Sequence, residues 1–109
     1  MKDIRKKLAK YLSKTGPLVA SVKAPLRIQR YVQCHALPES AEADLRASRH
    51  GPPGYDGVAE LWWDSMEDMA ATATEPAAIA AGRLLLEDER KFIDLERSPL
   101  FWGVEHAII

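Results

Sequence analysis

The 109-residue chain is predicted to form an α+β domain in which helices cover one face of an antiparallel sheet. Three observations indicate this class. Apolar residues recur with helical spacing near the N-terminus and again between residues 77 and 93. Two segments, residues 26–36 and 58–63, alternate in the manner of strands. Glycine and proline residues separate the segments, as expected of turns.

Composition sets the limits of this domain. The chain is 47% hydrophobic and 28% charged, which is ordinary for one globular domain with a modest core. So short a chain leaves much surface in water, so we expect oligomerisation to supplement its stability. No apolar run is long enough to span a membrane, and no signal-peptide pattern follows the N-terminus. With a single cysteine, Cys34, we expect a cytoplasmic protein.

Residues 1–14 form an atypical lysine-rich start to the domain, and residues 2–15 are predicted to be an amphipathic helix that ends at Gly16-Pro17. The apolar stripe consists of Ile4, Leu8, Tyr11 and Leu12. A basic helix is compatible with a nucleic-acid or anionic-membrane surface. The stripe lacks Trp and Phe, which favours a packed helix with a solvated lysine face. We therefore expect neither a nucleic-acid nor a membrane partner.

The first strand pattern separates polar from apolar side chains. Ile28, Val32 and Cys34 fall on one side, and Tyr31, Gln33 and His35 fall on the other. The second set is polar without being charged, which indicates a cavity wall. An exposed strand or a subunit interface is the alternative. A long loop, residues 37–54, follows with one helical turn predicted at residues 41–48.

The second strand, residues 58–63, carries the feature that most favours chemistry. Val58, Glu60 and Trp62 share one face, and three apolar residues share the other. A carboxylate between valine and tryptophan is desolvated if that face is buried, which raises its pKa and suits acid or base chemistry. A structural ion pair is the alternative for Glu60. Asp64 and Glu67 have the spacing of a helix N-cap box.

Two helices and a last strand complete the predicted order. The helices cover residues 65–73 and 77–93, and the second is expected to bury Ile79, Leu86 and Ile93. Residues 100–109 are predicted to be a strand that is covered on both sides, because neither face is cleanly polar. With one strand added in front, this order matches the ferredoxin-like βαββαβ fold. In such domains a second subunit often covers the open sheet face, which gives a dimeric α+β barrel.

Several blocks of the sequence resemble the successive blocks of the EthD family. They are residues 16–19 (GPLV), 30–35 (RYVQCH), 55–65 (YDGVAELWWDS), 88–94 (DERKFID) and 97–99 (RSP). The resemblance spans residue 12 to the end and implies a single EthD-like domain, residues 1–109. It also implies a homodimeric barrel and a catabolic or oxidative small-molecule context. EthD members occur beside ether-degrading oxygenases, and fungal relatives are decarboxylases or dehydratases of aromatic polyketides.

The chain departs from this family in two places. EthD-like chains usually begin with a β-strand, whereas residues 1–7 are too lysine-rich for a central strand. The family also commonly carries His just before the GPLV-like block, where this chain has Thr15. We therefore expect an altered dimer, in which the last strand either pairs directly with the strand bearing Glu60 or is exchanged between subunits.

In the barrel, side chains from three strands are expected to face one chamber. The predicted catalytic residues are Glu60, His35 and His106, and the predicted substrate-binding residues are Tyr31, Gln33, Trp62 and Trp102. The aromatic rings suit a flat apolar molecule. No diagnostic metal spacing and no flavin, nicotinamide or phosphate motif is present, so we expect no cofactor.

These observations favour a small-molecule protein with proton-transfer chemistry, such as a decarboxylase or dehydratase, or with cofactor-free oxidative chemistry. If it is an enzyme, it is a lyase or an oxidoreductase. A non-catalytic dimeric ligand binder or accessory subunit is the alternative from another class. A third is an engineered scaffold derived from this family, because lysines are concentrated in residues 1–14.

Overall fold

A computed structural model of the chain describes the backbone of residues 2–109 and the side chains of residues 8–109. The elements are α1 (Lys2–Ser21), α2 (Lys23–Leu26), β1 (Arg30–His35), α3 (Glu39–Ser48), β2 (Gly57–Trp62), α4 (Met66–Ala71), α5 (Pro76–Glu89) and a 3-10 turn (Leu95–Arg97). The architecture is α+β with a two-stranded antiparallel sheet, as the sequence predicts. No helix within residues 2–109 is both long and apolar enough to cross a bilayer.

Helix α1 is longer than predicted, because it continues through Gly16-Pro17 to Ser21. Proline removes one helical donor and disfavours helical geometry in the residue before it, largely through contact with the Cβ of that residue. Gly16 has no Cβ, so this contact is avoided. The added turn places Val19, which is 5% exposed, in the core. Burial of Val19 offsets the lost hydrogen bond.

The core lies where the C-terminal part of α1 and helix α2 meet α5. Its buried members are Val19, Leu26, Ile28, Ala78 and Ala81, and Val22, Tyr31, Trp63 and Leu85 pack around them. The Trp63 indole Nε1 donates to the Leu26 carbonyl oxygen at 2.7 Å. The predicted burial of Ile79 and Leu86 is wrong, since both lie at the surface. The small Ala78 and Ala81 let α5 approach its neighbours closely.

Strands β1 and β2 pair antiparallel with a register that assigns every side chain to a face. The pairs are Arg30 with Trp62, Tyr31 with Leu61, Val32 with Glu60, Gln33 with Ala59, Cys34 with Val58, and His35 with Gly57. Directly opposite residues share a face. We call the face with Tyr31, Gln33, His35, Gly57, Ala59 and Leu61 the helix side, because Tyr31 packs on the core. The opposite face is the open side.

The connections around β2 differ in detail from the sequence prediction. The single helical turn expected at residues 41–48 is the ten-residue helix α3. The cap of α4 is Ser65 and not Asp64, because the Ser65 Oγ accepts the Asp68 backbone N–H at 3.1 Å. At the start of β2 a Cβ on Gly57 would lie 2.9 Å from the Cys34 carbonyl oxygen. Glycine is favoured here because any Cβ would press on the backbone of β1.

Residues 100–109, which we call the tail, do not form the predicted strand. A strand needs a neighbour, and no strand among residues 2–109 borders the tail. The expected direct pairing of the tail with β2 is therefore absent. One side-chain contact fixes the start of the tail, where the rings of Trp63 and Trp102 meet edge to face with centroids 5.7 Å apart. Residues 2–7 lie in α1 and do not form a central strand.

Candidate functional site

Three polar side chains on the helix side of β1, Tyr31, Gln33 and His35, form a hydrogen-bonded row that we call the polar ladder. The Gln33 Nε2 donates to the Leu12 carbonyl oxygen of α1 at 3.1 Å and to the Tyr31 hydroxyl at 3.0 Å. The Gln33 Oε1 lies 2.9 Å from the His35 Nε2. Strand alternation places the three side chains on one face, and the α1 backbone holds the middle one in place.

The Leu12 carbonyl determines how the ladder is protonated. A carbonyl oxygen only accepts hydrogen bonds, so the Gln33 NH₂ group must face Leu12. The amide oxygen Oε1 of Gln33 then faces His35. Because this oxygen only accepts hydrogen bonds, the Nε2 of His35 must carry the hydrogen. The Nδ1 of a neutral His35 is consequently the ring nitrogen that bears a lone pair and accepts protons.

His35 borders a cleft between α1 and the end of β1. The cleft has a volume of about 180 Å³, and its walls are Leu8, Ala9, Leu12, His35, Ala36 and Asp56. Cavities that enclose drug-sized ligands usually measure roughly 300–1,000 Å³. The cleft therefore accommodates a small group or one end of a longer molecule. Its α1 wall is apolar, and the opposite end carries the Asp56 carboxyl group and the imidazole.

The open side of the sheet carries a second group of side chains. The Arg30 guanidinium lies over the Trp62 ring, 4.5 Å from the ring centroid. At a partly exposed site such a cation–π contact contributes about 0.5–1 kcal/mol. Glu60 is exposed, and Val58 is 51% exposed. The desolvated carboxylate predicted for Glu60 is therefore absent from the single chain.

The predicted common chamber is wrong for the single chain, because the register divides its members. Tyr31, Gln33 and His35 lie on the helix side, whereas Glu60 and Trp62 lie on the open side. A sequence pattern gives the faces within one strand but not which faces of two strands coincide.

The two predicted site residues in the tail join neither group. Trp102 contacts Trp63, and His106 is exposed in the part of the tail that follows. Both residues were placed in the chamber on the assumption that the tail is a strand of the sheet.

Thr15 occupies the position where the resembled family commonly has histidine. Its side chain is 6% exposed, and its hydroxyl donates to the Asp88 Oδ2 at 2.5 Å, with the Tyr11 carbonyl oxygen 3.2 Å away. One helical turn earlier, the Tyr11 and Phe92 rings stack with centroids 5.4 Å apart. Thr15 therefore connects α1 to α5 and supplies no imidazole.

Glu89 follows Asp88 on α5. Among the described side chains, it is the acid whose pKa departs clearly from the ordinary value. Burial raises the pKa of the Glu89 carboxyl above its ordinary value, and the nearby negative charge of Asp88 raises it further. Desolvation and like charge both disfavour the ionised form. The sequence did not single out Thr15, Asp88 and Glu89 as a cluster, because Thr15 is 73 positions from Asp88. The available signal was that Asp88 and Glu89 lie in one family-like block, residues 88–94, and that Thr15 directly precedes another, residues 16–19.

A small α+β domain with helices on one face of an antiparallel sheet, and with the other face bare, falls in the ferredoxin-like class. The chain belongs to the EthD family, since the EthD domain model matches residues 6–96. The match includes the polar ladder and α5 and stops before the tail. No curated protein and no solved structure matches the chain. Among residues 8–109, no three His, Cys, Asp or Glu side chains are grouped to hold a metal ion.

Proposed function

We propose that this EthD domain binds a small apolar or aromatic molecule in the cleft beside β1 and accepts a proton from it at His35. The protonation of the ladder carries this proposal. The Gln33 amide is held by the Leu12 carbonyl, so the His35 Nε2 keeps its hydrogen and the Nδ1 is the acceptor. The apolar α1 wall suits the carbon skeleton of the molecule.

The ladder also favours the protonated state that follows proton transfer. Once the Nδ1 gains a proton, the positive charge of His35 is stabilised by the Gln33 Oε1 on the other nitrogen. The Tyr31 hydroxyl accepts from Gln33 and so helps to hold the amide in this orientation. Such a site suits proton abstraction next to a carbonyl or from a phenol. Dehydration and cofactor-free oxidation each begin with this kind of step, whereas decarboxylation needs the reverse, a proton delivered to the carbon that loses CO₂.

The assembly we propose is a homodimer in which a second copy covers the open side of the sheet. The apolar Val58 is half exposed there, beside the Arg30–Trp62 pair. Covering this face removes Glu60 from bulk water, which is the environment that the sequence predicts for it. Glu60, Trp62, Trp102 and His106 contribute to binding or proton transfer only in this assembled state.

A non-catalytic ligand binder is the second candidate, and one observation favours it. At the family histidine position the chain has Thr15, whose hydroxyl is engaged by Asp88. The Thr15 hydroxyl neither gives up nor takes up a proton near neutral pH. A binder keeps the cleft and the ladder but moves no proton.

Hydrogen exchange on bound ligands separates the two candidates. Aromatic acids, phenols and quinols are screened for binding by NMR, and each ligand that binds is incubated with the protein in D₂O. We expect deuterium to replace a carbon-bound hydrogen of the ligand, since O–H hydrogens exchange with D₂O unaided, and we expect His35→Gln to slow this replacement by roughly 100-fold or more, with little loss of affinity. His50→Gln is the control, since His50 is a histidine outside both the cleft and the ladder. Binding without deuterium uptake supports the binder, and an unchanged rate in His35→Gln contradicts the role of His35.

A further inference from the structure

One edge of strand β2 carries backbone N–H and C=O groups that are not paired with any strand among residues 2–109. The Ala36 N–H donates to the Asp56 carbonyl oxygen at 3.0 Å, one step beyond the last pair of the β1–β2 ladder. Bonded and non-bonded pairs alternate in an antiparallel ladder. The backbone N–H and C=O groups of Gly57, Ala59 and Leu61 therefore point away from β1. They form a row that can hydrogen-bond to another strand.

The composition of β2 is that of a strand with neighbours on both sides. Its residues, Gly57–Trp62, include no Lys and no Pro, the residues that natural proteins use to protect exposed edges. Five of the six are exposed, whereas three of the six residues of β1 are partly covered. The strand with the more apolar sequence is thus the less covered one.

The tail has the sequence pattern of a β-strand but is not part of a sheet. Its apolar residues fall on both faces of an extended chain, as in a strand covered on both sides. Val104 is 79% exposed and Ile108 is 87% exposed. The Trp63–Trp102 contact holds the start of the tail beside the end of β2, yet the remaining residues do not pair with that strand.

The surface of the whole chain has the size expected of one half of a dimer. The accessible surface is 8919 Å², against about 6,100 Å² for a compact monomer of this mass. The radius of gyration is 16.0 Å, against about 13 Å for a compact domain of this length. The excess is about 2,800 Å² for one chain and so about 5,600 Å² for two, which lies at the upper end of the roughly 2,000–5,000 Å² or more that obligate dimers bury in total. A second copy of the chain is therefore the occupant that accounts for the excess.

We propose that two copies exchange tails, so that residues 101–108 of each become a third strand on the outer edge of β2 of the other. The inference rests on the homodimer of the proposed function and adds how its sheet is completed. The exchange pairs the outward groups of Gly57, Ala59 and Leu61 and covers the tail on both faces. It also brings the tail residue His106 of one copy next to the strand that bears Glu60 of the other.

Hydrogen–deuterium exchange with proline variants tests the exchanged tail in the full chain. Adjacent residues of a strand direct their N–H groups to opposite sides, so one of Val104→Pro and Glu105→Pro removes a donor facing β2. Val104→Thr and Glu105→Thr are the matched controls, since threonine keeps the N–H and favours strands. Sedimentation gives the mass of each variant, and the exchange of α5 amides checks that the domain is folded.

We expect a dimer in which amides of residues 101–108 exchange about tenfold or more slowly than in an unpaired chain. This protection falls on dilution and in at least one proline variant, and it persists in both threonine controls. A dimer with an unprotected tail overturns the exchange but leaves the homodimer of the proposed function intact. A tail protected in a monomer also overturns it, because pairing is then within one chain. A monomer with an unprotected tail overturns both the exchange and the homodimer.

Discussion

Thr15 illustrates how one side chain changes what this member of the EthD family can do. The Thr15 side chain is buried, and its hydroxyl donates to the Asp88 carboxylate at 2.5 Å, which connects α1 to α5. Hydrogen bonds to charged groups contribute about 1.5–3 kcal/mol to stability. At this position the chain therefore has a structural contact and no imidazole. In the function that we propose, the proton acceptor is therefore His35 and not a side chain at position 15.

Glu89 gives a prediction about pH. Burial and the charge of Asp88 raise the pKa of Glu89, so the folded protein favours the protonated carboxyl. The stability that this proton confers is present below the ordinary pKa of Glu and is lost as pH rises through the higher, folded value. We expect Glu89→Gln, which cannot ionise, to melt at a higher temperature than the parent protein near neutral pH.

The difference in melting temperature between Glu89→Gln and the parent should grow as pH rises above 4.5, the ordinary pKa of Glu, and should level off above the higher pKa of the folded state. Thermal unfolding followed by circular dichroism at several pH values measures it. Glu87→Gln is the control, because Glu87 lies on the same helix with an exposed side chain paired to Arg90. A difference that is constant with pH, or that favours the parent protein at neutral pH, would contradict the buried position of Glu89.

At the residue scale the sequence predicted the ladder members but not their partners. Tyr31, Gln33 and His35 share a face because strands alternate, and this much follows from the pattern. The contact of Gln33 with the Leu12 carbonyl joins residues 21 positions apart and depends on how α1 packs on the sheet. Arg30 over Trp62 was missed for a similar reason, since the contact crosses from one strand to the other and depends on register.

At the scale of elements, some sequence signals predicted the observed structure, whereas others were overridden by tertiary packing. The strand pattern and the Asp56-Gly57 turn predicted β2 to within one residue at each end. Gly16-Pro17 did not end α1, because Val19 is buried only if the helix continues. The tail was predicted to be a strand from its own sequence, but a strand also needs a partner. In both cases the local sequence predicted the preferred conformation of the segment, but packing or strand pairing determined the structure that it adopts.

Gly57 gives a prediction about β2. A Cβ at this position meets the Cys34 carbonyl oxygen at 2.9 Å, and backbone atoms cannot move aside as a flexible side chain does. We expect Gly57→Ala to lower the free energy of unfolding by roughly 1–3 kcal/mol. Gly82→Ala is a matched control, because a Cβ there meets nothing within 4 Å and α5 gains helix propensity. That control should be more stable by about 0.5–1 kcal/mol.

Urea unfolding of both glycine variants measures these changes in free energy. The two substitutions add the same methyl group, so the difference between them reports the contact and not the side chain itself. A Gly57→Ala variant that is as stable as the parent protein would mean that the turn before β2 is looser than described.

At the scale of the whole molecule, the single chain is an incomplete structure. Its helices and β1 enclose a core, but β2 and the tail expose apolar residues that a small domain has little means to cover. The division of the candidate residues follows from this. The ladder and its cleft are formed within one chain, whereas Glu60 and the tail residues are exposed there and are covered only in the dimer that we propose. Sequence alone did not reveal this division, because it arises from register and from assembly.

The central claim is that the ladder leaves the Nδ1 of His35 as the proton acceptor, and the histidine tautomer tests it most directly. The protein is labelled with ¹⁵N-histidine, and ring spectra are recorded above about pH 8, where His is neutral. Of the three histidines, His35 is assigned by its loss in His35→Gln. We predict a His35 ring protonated at Nε2, a preference that Gln33→Leu removes. A His35 protonated at Nδ1, or a mixture of tautomers that Gln33→Leu leaves unchanged, would contradict the account.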